Sequence, residues 1–187
     1  MTTIPVERLY TFEAYLTYDD GSDTRYELVR GRLVLMTPPT VRHLLIAKLI
    51  ERILDAEINR LRLPLVALRE AGIQTEVDSS RLPDVCVVTT EQVSELMDQS
   101  AVFRIPAQLA VEVVSPSSVK RDYEEKPPEY ANKGISEYWI VDPMTLKVTV
   151  CLLDKGRYSK AVFTGNQQII SQNFPQLILT AEQVFFA

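Results

Sequence analysis

Apolar and polar residues run along this 187-residue chain in two rhythms. From Val41 to Leu61 the apolar positions Ile46, Leu49, Ile50, Ile53, Leu54, Ile58 and Leu61 recur at i, i+3, i+4 spacing. That spacing predicts one long helix with a single buried face, capped by Thr40 with Pro39 just outside. Shorter helices are predicted over 11–18 (capped by Thr11), 90–98 (capped by Thr90) and about 127–133. Pro127-Pro128 suit the first turn of the last of these. A final short helix closes the chain. Short apolar or alternating runs predict strands at 64–68, 72–76, 84–88, 108–114, 137–141 and 176–180. Two hairpins are expected, one over 25–36 turning at Arg30-Gly31. In the other, KVTVCLL and RYSKAVF flank Asp154-Lys155-Gly156. The element order is that of an α/β (α+β) protein, a mixed central sheet flanked by helices with added β-hairpins.

Composition narrows the class. The length and an apolar fraction of 46% suit one folded domain over 1–187. No apolar run is long enough to span a membrane. The segment MTTIPVERLY lacks the basic-then-apolar pattern of a signal peptide, so a cytoplasmic protein is expected. Cys86 and Cys151 each sit in an apolar run without a CxxC partner, and the chain has one histidine. A Cys/His zinc site is therefore not available, and both cysteines are expected as buried free thiols. The net charge of −5 argues against a general nucleic-acid binder. Locally the balance reverses: Arg42 to Arg69 holds six basic and three acidic residues, a net of +3.

The residues able to carry chemistry are few. Glu112 lies inside QLAVEVV, a strand apolar on both faces, where an unpaired carboxylate would cost several kcal/mol. It is expected to be paired, protonated or metal-bound, unless the sheet end opens to solvent or an arginine. Asp84 follows Pro83 at the start of VCVV. If strands 84–88 and 108–114 are neighbours, Asp84 and Glu112 converge, and two close carboxylates call for a cation. Oxygen ligands of that kind suit Mg²⁺ or Mn²⁺. Lys126 precedes the proline-started helix and can fold back over the strand end to orient water or stabilise phosphate charge. Taken alone it would be a solvated surface lysine, and Pro127 favours an extended backbone for it. His43, on the first turn of the long helix, reads alone as a structural hydrogen-bonding group. Glu27 reads alone as a cross-strand partner of Arg25 or Arg32. Tyr138 and Trp139 read as core packing.

Together these pieces form a pattern. It runs through Tyr26-Glu27-Leu28-Val29-x-Gly31, His43, Leu82-Pro83-Asp84-Val85 and Val111-Glu112-Val113-Val114-Ser115-Pro116-Ser117. It continues through Asp122, Lys126, Tyr130 and Gly134-Ile135-x-Glu137-Tyr138-Trp139-Ile140-Val141-Asp142-Pro143. From about residue 10 to residue 155 the chain resembles a bacterial restriction endonuclease-like family, first known as a domain of unknown function. That family is assigned to the PD-(D/E)XK nuclease superfamily. The resemblance implies a restriction endonuclease-like fold with a nuclease core over 40–142. An N-terminal helix and hairpin would occupy 1–36, and a C-terminal hairpin and short helix 145–187. It implies that Asp84 and Glu112 hold Mg²⁺ (or Mn²⁺) and that Glu27 and His43 border the same site. The lysine usually found two positions after the glutamate is Val114 here, and Lys126 matches the family's substitute. The implied function is metal-dependent DNA endonuclease activity, Lys126 assisting the attacking water, with a homodimer possible. Glu27 would ligate a second ion or orient a water, and His43 would contact phosphate or hold Glu27. The rival reading is a catalytically inactive binding or interaction module on the same fold, favoured by the absent in-line lysine and the acidic balance.

Overall fold

A computed structural model describes residues 8–22 and 24–186 of the chain. The first seven residues of the expected N-terminal segment, residue 23 and residue 187 lie outside the described residues.

The N-terminal part follows local signals closely. Helix α1 (Phe12–Leu16) is capped by Thr11, whose hydroxyl accepts from the Ala14 amide, and it ends at Leu16 rather than continuing to 18. Strands β1 (Tyr26–Val29) and β2 (Arg32–Leu35) form the expected hairpin. Its turn residues Arg30 and Gly31 both take positive φ, at 50° and 75°. That pair of left-handed residues matches the twist of a tight hairpin. Helix α2 (Val41–Leu61) has the predicted limits, with the Thr40 hydroxyl accepting from the His43 amide.

Next come β3 (Leu65–Leu68), β4 (Gly72–Glu76), β5 (Ser79–Arg81), β6 (Val85–Thr89) and helix α3 (Thr90–Glu95). Helix α3 differs from expectation at both ends. Thr89, not Thr90, is the cap, because Gln92 three residues on completes a reciprocal capping box with it. The helix ends at Glu95 rather than continuing to 98. Strands β7 (Val102–Phe103) and β8 (Leu109–Val113) lead into a π-helical turn over Arg121–Glu125, which runs directly into α4 (Lys126–Lys133). Strand β9 (Glu137–Asp142), the hairpin β10 (Lys147–Asp154) and β11 (Arg157–Thr164), and helix α5 (Ala181–Phe186) complete the chain. The expected strand at 176–180 does not form. Leu177 and Leu179 are buried and Ile178 is exposed, yet only Thr180 pairs, in a single bridge to Gln168.

The strands make two sheets rather than one, within the mixed α/β class expected. The smaller has the order β2-β1-β5-β4-β7, and the larger β11-β10-β9-β8-β6-β3. In the larger sheet β8 and β9 are parallel and the other neighbours antiparallel. Side chains alternate across its central strands. Val85, Val87, Leu109, Val111, Val113, Trp139 and Val141 face α2, where they meet Ile46, Ile50, Leu54 and Ile58. Cys86, Val88, Ala110, Val114, Tyr138 and Ile140 face the other way, toward Tyr130 of α4 and Ile73 and Phe103 of the smaller sheet. Glu112 shares that second parity, so its carboxylate is directed to the α4 side. Cys86 and Cys151 are free and buried as expected, and burial pushes their thiols up to about 12 and about 11. Among the described residues no helix is long and apolar enough to cross a membrane.

Candidate active site

Strands β6 and β8 are antiparallel neighbours, with Val85 opposite Val111. One step further stand Asp84 and Glu112, at the same end of the sheet. The Asp84 carboxylate grips the neighbouring strand directly: its Oδ2 accepts the Val113 amide at 2.7 Å. Its Oδ1 lies 2.7 Å from Nε2 of His43, on the first turn of α2. His43 therefore holds Asp84, whereas the resemblance implied contact with phosphate or with Glu27.

Glu112 is buried and receives two groups on one oxygen. The Tyr130 hydroxyl donates to Oε1 at 2.7 Å, and the Lys126 ammonium lies 2.8 Å from the same atom. Burial pushes its carboxyl up to about 8; Lys126 pulls down, while Asp122, Asp84 and Glu27 add to the rise. One ammonium does not offset that concentration of negative charge. Lys126 itself is only 4% exposed. Burial acts to lower its pKa, but Glu112, Glu27 and Asp122 outweigh this and hold the ammonium charged.

The reach of Lys126 comes from the segment before it. Despite the following proline, its backbone is helical (φ −67°, ψ −37°) rather than extended. The π-helical turn accommodates this: the Lys126 amide bonds back to the Arg121 carbonyl. Pro127 has no N–H to continue the pattern onto the Asp122 carbonyl, and the Tyr138 hydroxyl takes that acceptor instead at 2.9 Å. Single π-turns of this kind occur often at functional sites. Val114, at the in-line lysine position, is packed in the core at 2% exposure, and its amide bonds Val141. A lysine there would have to displace core contacts, whereas one on α4 reaches the same carboxylate from above.

Glu27 is not held by Arg25, one of the two partners expected of it. Arg25 pairs with Glu70, while Glu27 is bound by the buried Arg81 at 3.0 Å and by the Leu82 amide at 3.1 Å. Its Oε1 is 4.0 Å from the Lys126 ammonium. Burial works to raise the Glu27 carboxyl, but Lys126, Arg81 and the Leu82 amide prevail and hold it below the usual range. Arg81 also clamps Glu129 of α4 with two bonds of 2.7 and 2.6 Å, tying the smaller sheet to that helix.

All five residues singled out from the sequence thus belong to one linked cluster, lining an open cavity of about 460 Å³ with Arg42 and Arg121. Three members had no role assigned from the sequence: Arg81, Asp122 and Tyr130. A signal existed for two of them. Ser118, Asp122, Lys126 and Tyr130 recur every four residues, a single helical stripe. Arg81 carries no such pattern.

Among the described residues no group of three or more His, Cys, Asp or Glu side chains is arranged to hold a metal ion. The remaining donors are the two carboxylates Asp84 and Glu112. Their chemistry fits Mg²⁺ or Mn²⁺, which accept one or two carboxylates and keep several waters.

The comparisons with known proteins agree with this architecture. The family described as putative restriction endonuclease, Uma2, matches residues 12–182. The crystal structure of a putative nuclease belonging to DUF820, from Anabaena variabilis, is similar with a TM-score of 0.78. The likeness covers 94% of this chain and 97% of that one at 18% identity, and is therefore one of fold. None of the curated proteins matches the chain.

Proposed function

Because the chain belongs to Uma2, the putative restriction endonuclease family, we propose that it is a metal-dependent DNA endonuclease hydrolysing phosphodiester bonds at Asp84, Glu112 and Lys126. One observation supports this above the others. The in-line lysine is replaced by a core valine, yet the Lys126 ammonium lies 2.8 Å from Glu112, on the α4 side of the sheet. A scaffold without chemistry has no need to bury a lysine among three carboxylates, since buried charge is costly and seldom improves on apolar packing.

Asp84 and Glu112 are the residues that would hold Mg²⁺ or Mn²⁺. Such an ion, when bound, lowers the pKa of a water and offsets phosphate charge. Lys126, kept charged, orients the attacking water and stabilises negative charge developing on the phosphate. It does not act as a base, because its neighbours hold the proton on it. Tyr130 and the Val113 amide fix the orientations of Glu112 and Asp84, and His43 fixes the second oxygen of Asp84. Glu27, anchored by Arg81, adds to the field that holds Lys126 charged. Arg42 and Arg121 on the cavity wall are suited to backbone phosphates of the DNA. Cutting both strands calls for two such sites, which a homodimer would supply.

The test is nicking of supercoiled DNA by purified protein with Mg²⁺ or Mn²⁺, with EDTA and Asp84→Ala as controls. Cleavage should disappear in both controls. Cleavage that persists unchanged in Asp84→Ala would refute the assignment.

A further inference from the structure

The Lys126 ammonium lies between two carboxylates, 2.8 Å from Glu112 and 3.0 Å from Asp122. The two are not equivalent. Oε1 of Glu112 also accepts the Tyr130 hydroxyl. Asp122 is 1% exposed; its Oδ2 accepts the Ser118 hydroxyl, while its Oδ1, the atom 3.0 Å from the ammonium, has that ion pair alone and no aligned hydrogen bond. A buried carboxylate oxygen in ion-pair contact but without an aligned donor has room for a fuller bond from the same ammonium.

We propose that Asp122 is a second seat for the Lys126 ammonium, which covers Glu112 in the metal-free protein and moves fully onto Asp122 when a divalent cation takes Glu112. The proposal rests on Asp84 and Glu112 being cation ligands, and it is independent of DNA cleavage. An ammonium and a divalent cation on one carboxylate repel each other. The ammonium sits among Glu27, Glu112 and Asp122, and turning out into the cavity would give up all three carboxylates. A buried charge that loses its partner needs another within reach. Asp122 is that partner, one helical turn before Lys126, and a small rotation of a flexible four-carbon side chain suffices. Asp122 is thus a positioning residue, and Lys126 competes with the cation for Glu112.

Mn²⁺ titration calorimetry on the full chain tests this with wild type, Lys126→Met, Asp122→Asn and the double variant. Lys126→Met should bind Mn²⁺ about tenfold more tightly, because the competing charge is gone. Asp122→Asn should bind about tenfold more weakly, because the ammonium has no second seat. In the Lys126→Met background, Asp122→Asn should have a much smaller effect, only the loss of its direct attraction for the cation, a pattern that a merely structural role would not produce. Asp122→Ser replaces Asp122→Asn if the latter fails to fold. Binding in Lys126→Met that is unchanged or weaker overturns the proposal. So does an Asp122→Asn loss of equal size with and without Lys126. The two readings separate cleanly. Asp84-dependent cleavage without these affinity shifts overturns the second seat alone. Affinity shifts without cleavage overturn the nuclease reading alone. No Mn²⁺ binding in wild type or any variant overturns both.

Discussion

Glu112→Gln in the metal-free protein isolates the competition between burial and ion pairing at the centre of the cluster. The change keeps the side chain's shape and an oxygen for Tyr130 and Lys126, and it removes ionisation. In the wild type, burial raises the carboxyl from 4.5 to about 8 despite Lys126. A folded-state pKa above the unfolded one means that the native protein holds the proton more firmly. That stability is fully present below the unfolded value and is lost as pH rises through the folded value. At ~1.4 kcal/mol per pH unit, the wild type should lose about 3 kcal/mol relative to Glu112→Gln between about pH 5 and about pH 8. Urea unfolding of both proteins in EDTA, at three pH values across that window, measures the difference. A difference that does not change with pH, or that moves in favour of the wild type as pH rises, would refute the reasoning. Either result would mean that the 2.8 Å contact with Lys126 outweighs burial and that Glu112 is ionised throughout.

Two further substitutions probe the groups that hold the carboxylates. Arg81→Met leaves Glu27 and Glu129 without their shared cation, and should cost about 3–5 kcal/mol near neutral pH. Because Glu27 is held below its ordinary range in the wild type, this loss should shrink as pH falls and Glu27 takes up a proton; thermal unfolding against pH checks it. His43→Gln removes the ring that sits 2.7 Å from Asp84. It should lower Mn²⁺-supported DNA cleavage by about 10–100-fold with little change in stability, as expected for a group that orients a metal ligand. Single-turnover cleavage rates read this directly.

Much of the local structure was legible without coordinates. Helix α2 is visible to the residue because its period and its Thr40 cap are both local properties. The Arg30-Gly31 turn and the 154–156 turn are legible for the same reason. The misses share a cause. Gln176 to Thr180 holds a short apolar run, Leu177-Ile178-Leu179, whose burial alternates as in a strand, but such a run does not report which backbone groups pair. Strands β5 and β7, of three and two residues, are too short to show a period and exist because their neighbours offer hydrogen-bond partners. With them comes the second sheet, which the linear pattern does not reveal.

The candidate site divides in the same way. Sequence named part of the cast: a carboxylate in an apolar strand, another beside Pro83, and, through the resemblance, a lysine, glutamate and histidine in matching places. It also set the parity that sends Glu112 to the same side as Val114. Which partner each residue has was decided by tertiary structure. His43 bonds Asp84 and not Glu27, Glu27 bonds Arg81 and not Arg25, and Lys126 turns inward through a π-helical turn that its following proline argues against. The physical reason is one of range. Period and capping act within a few residues, whereas a buried charge takes the nearest opposite charge in space, from whichever element folding brings there.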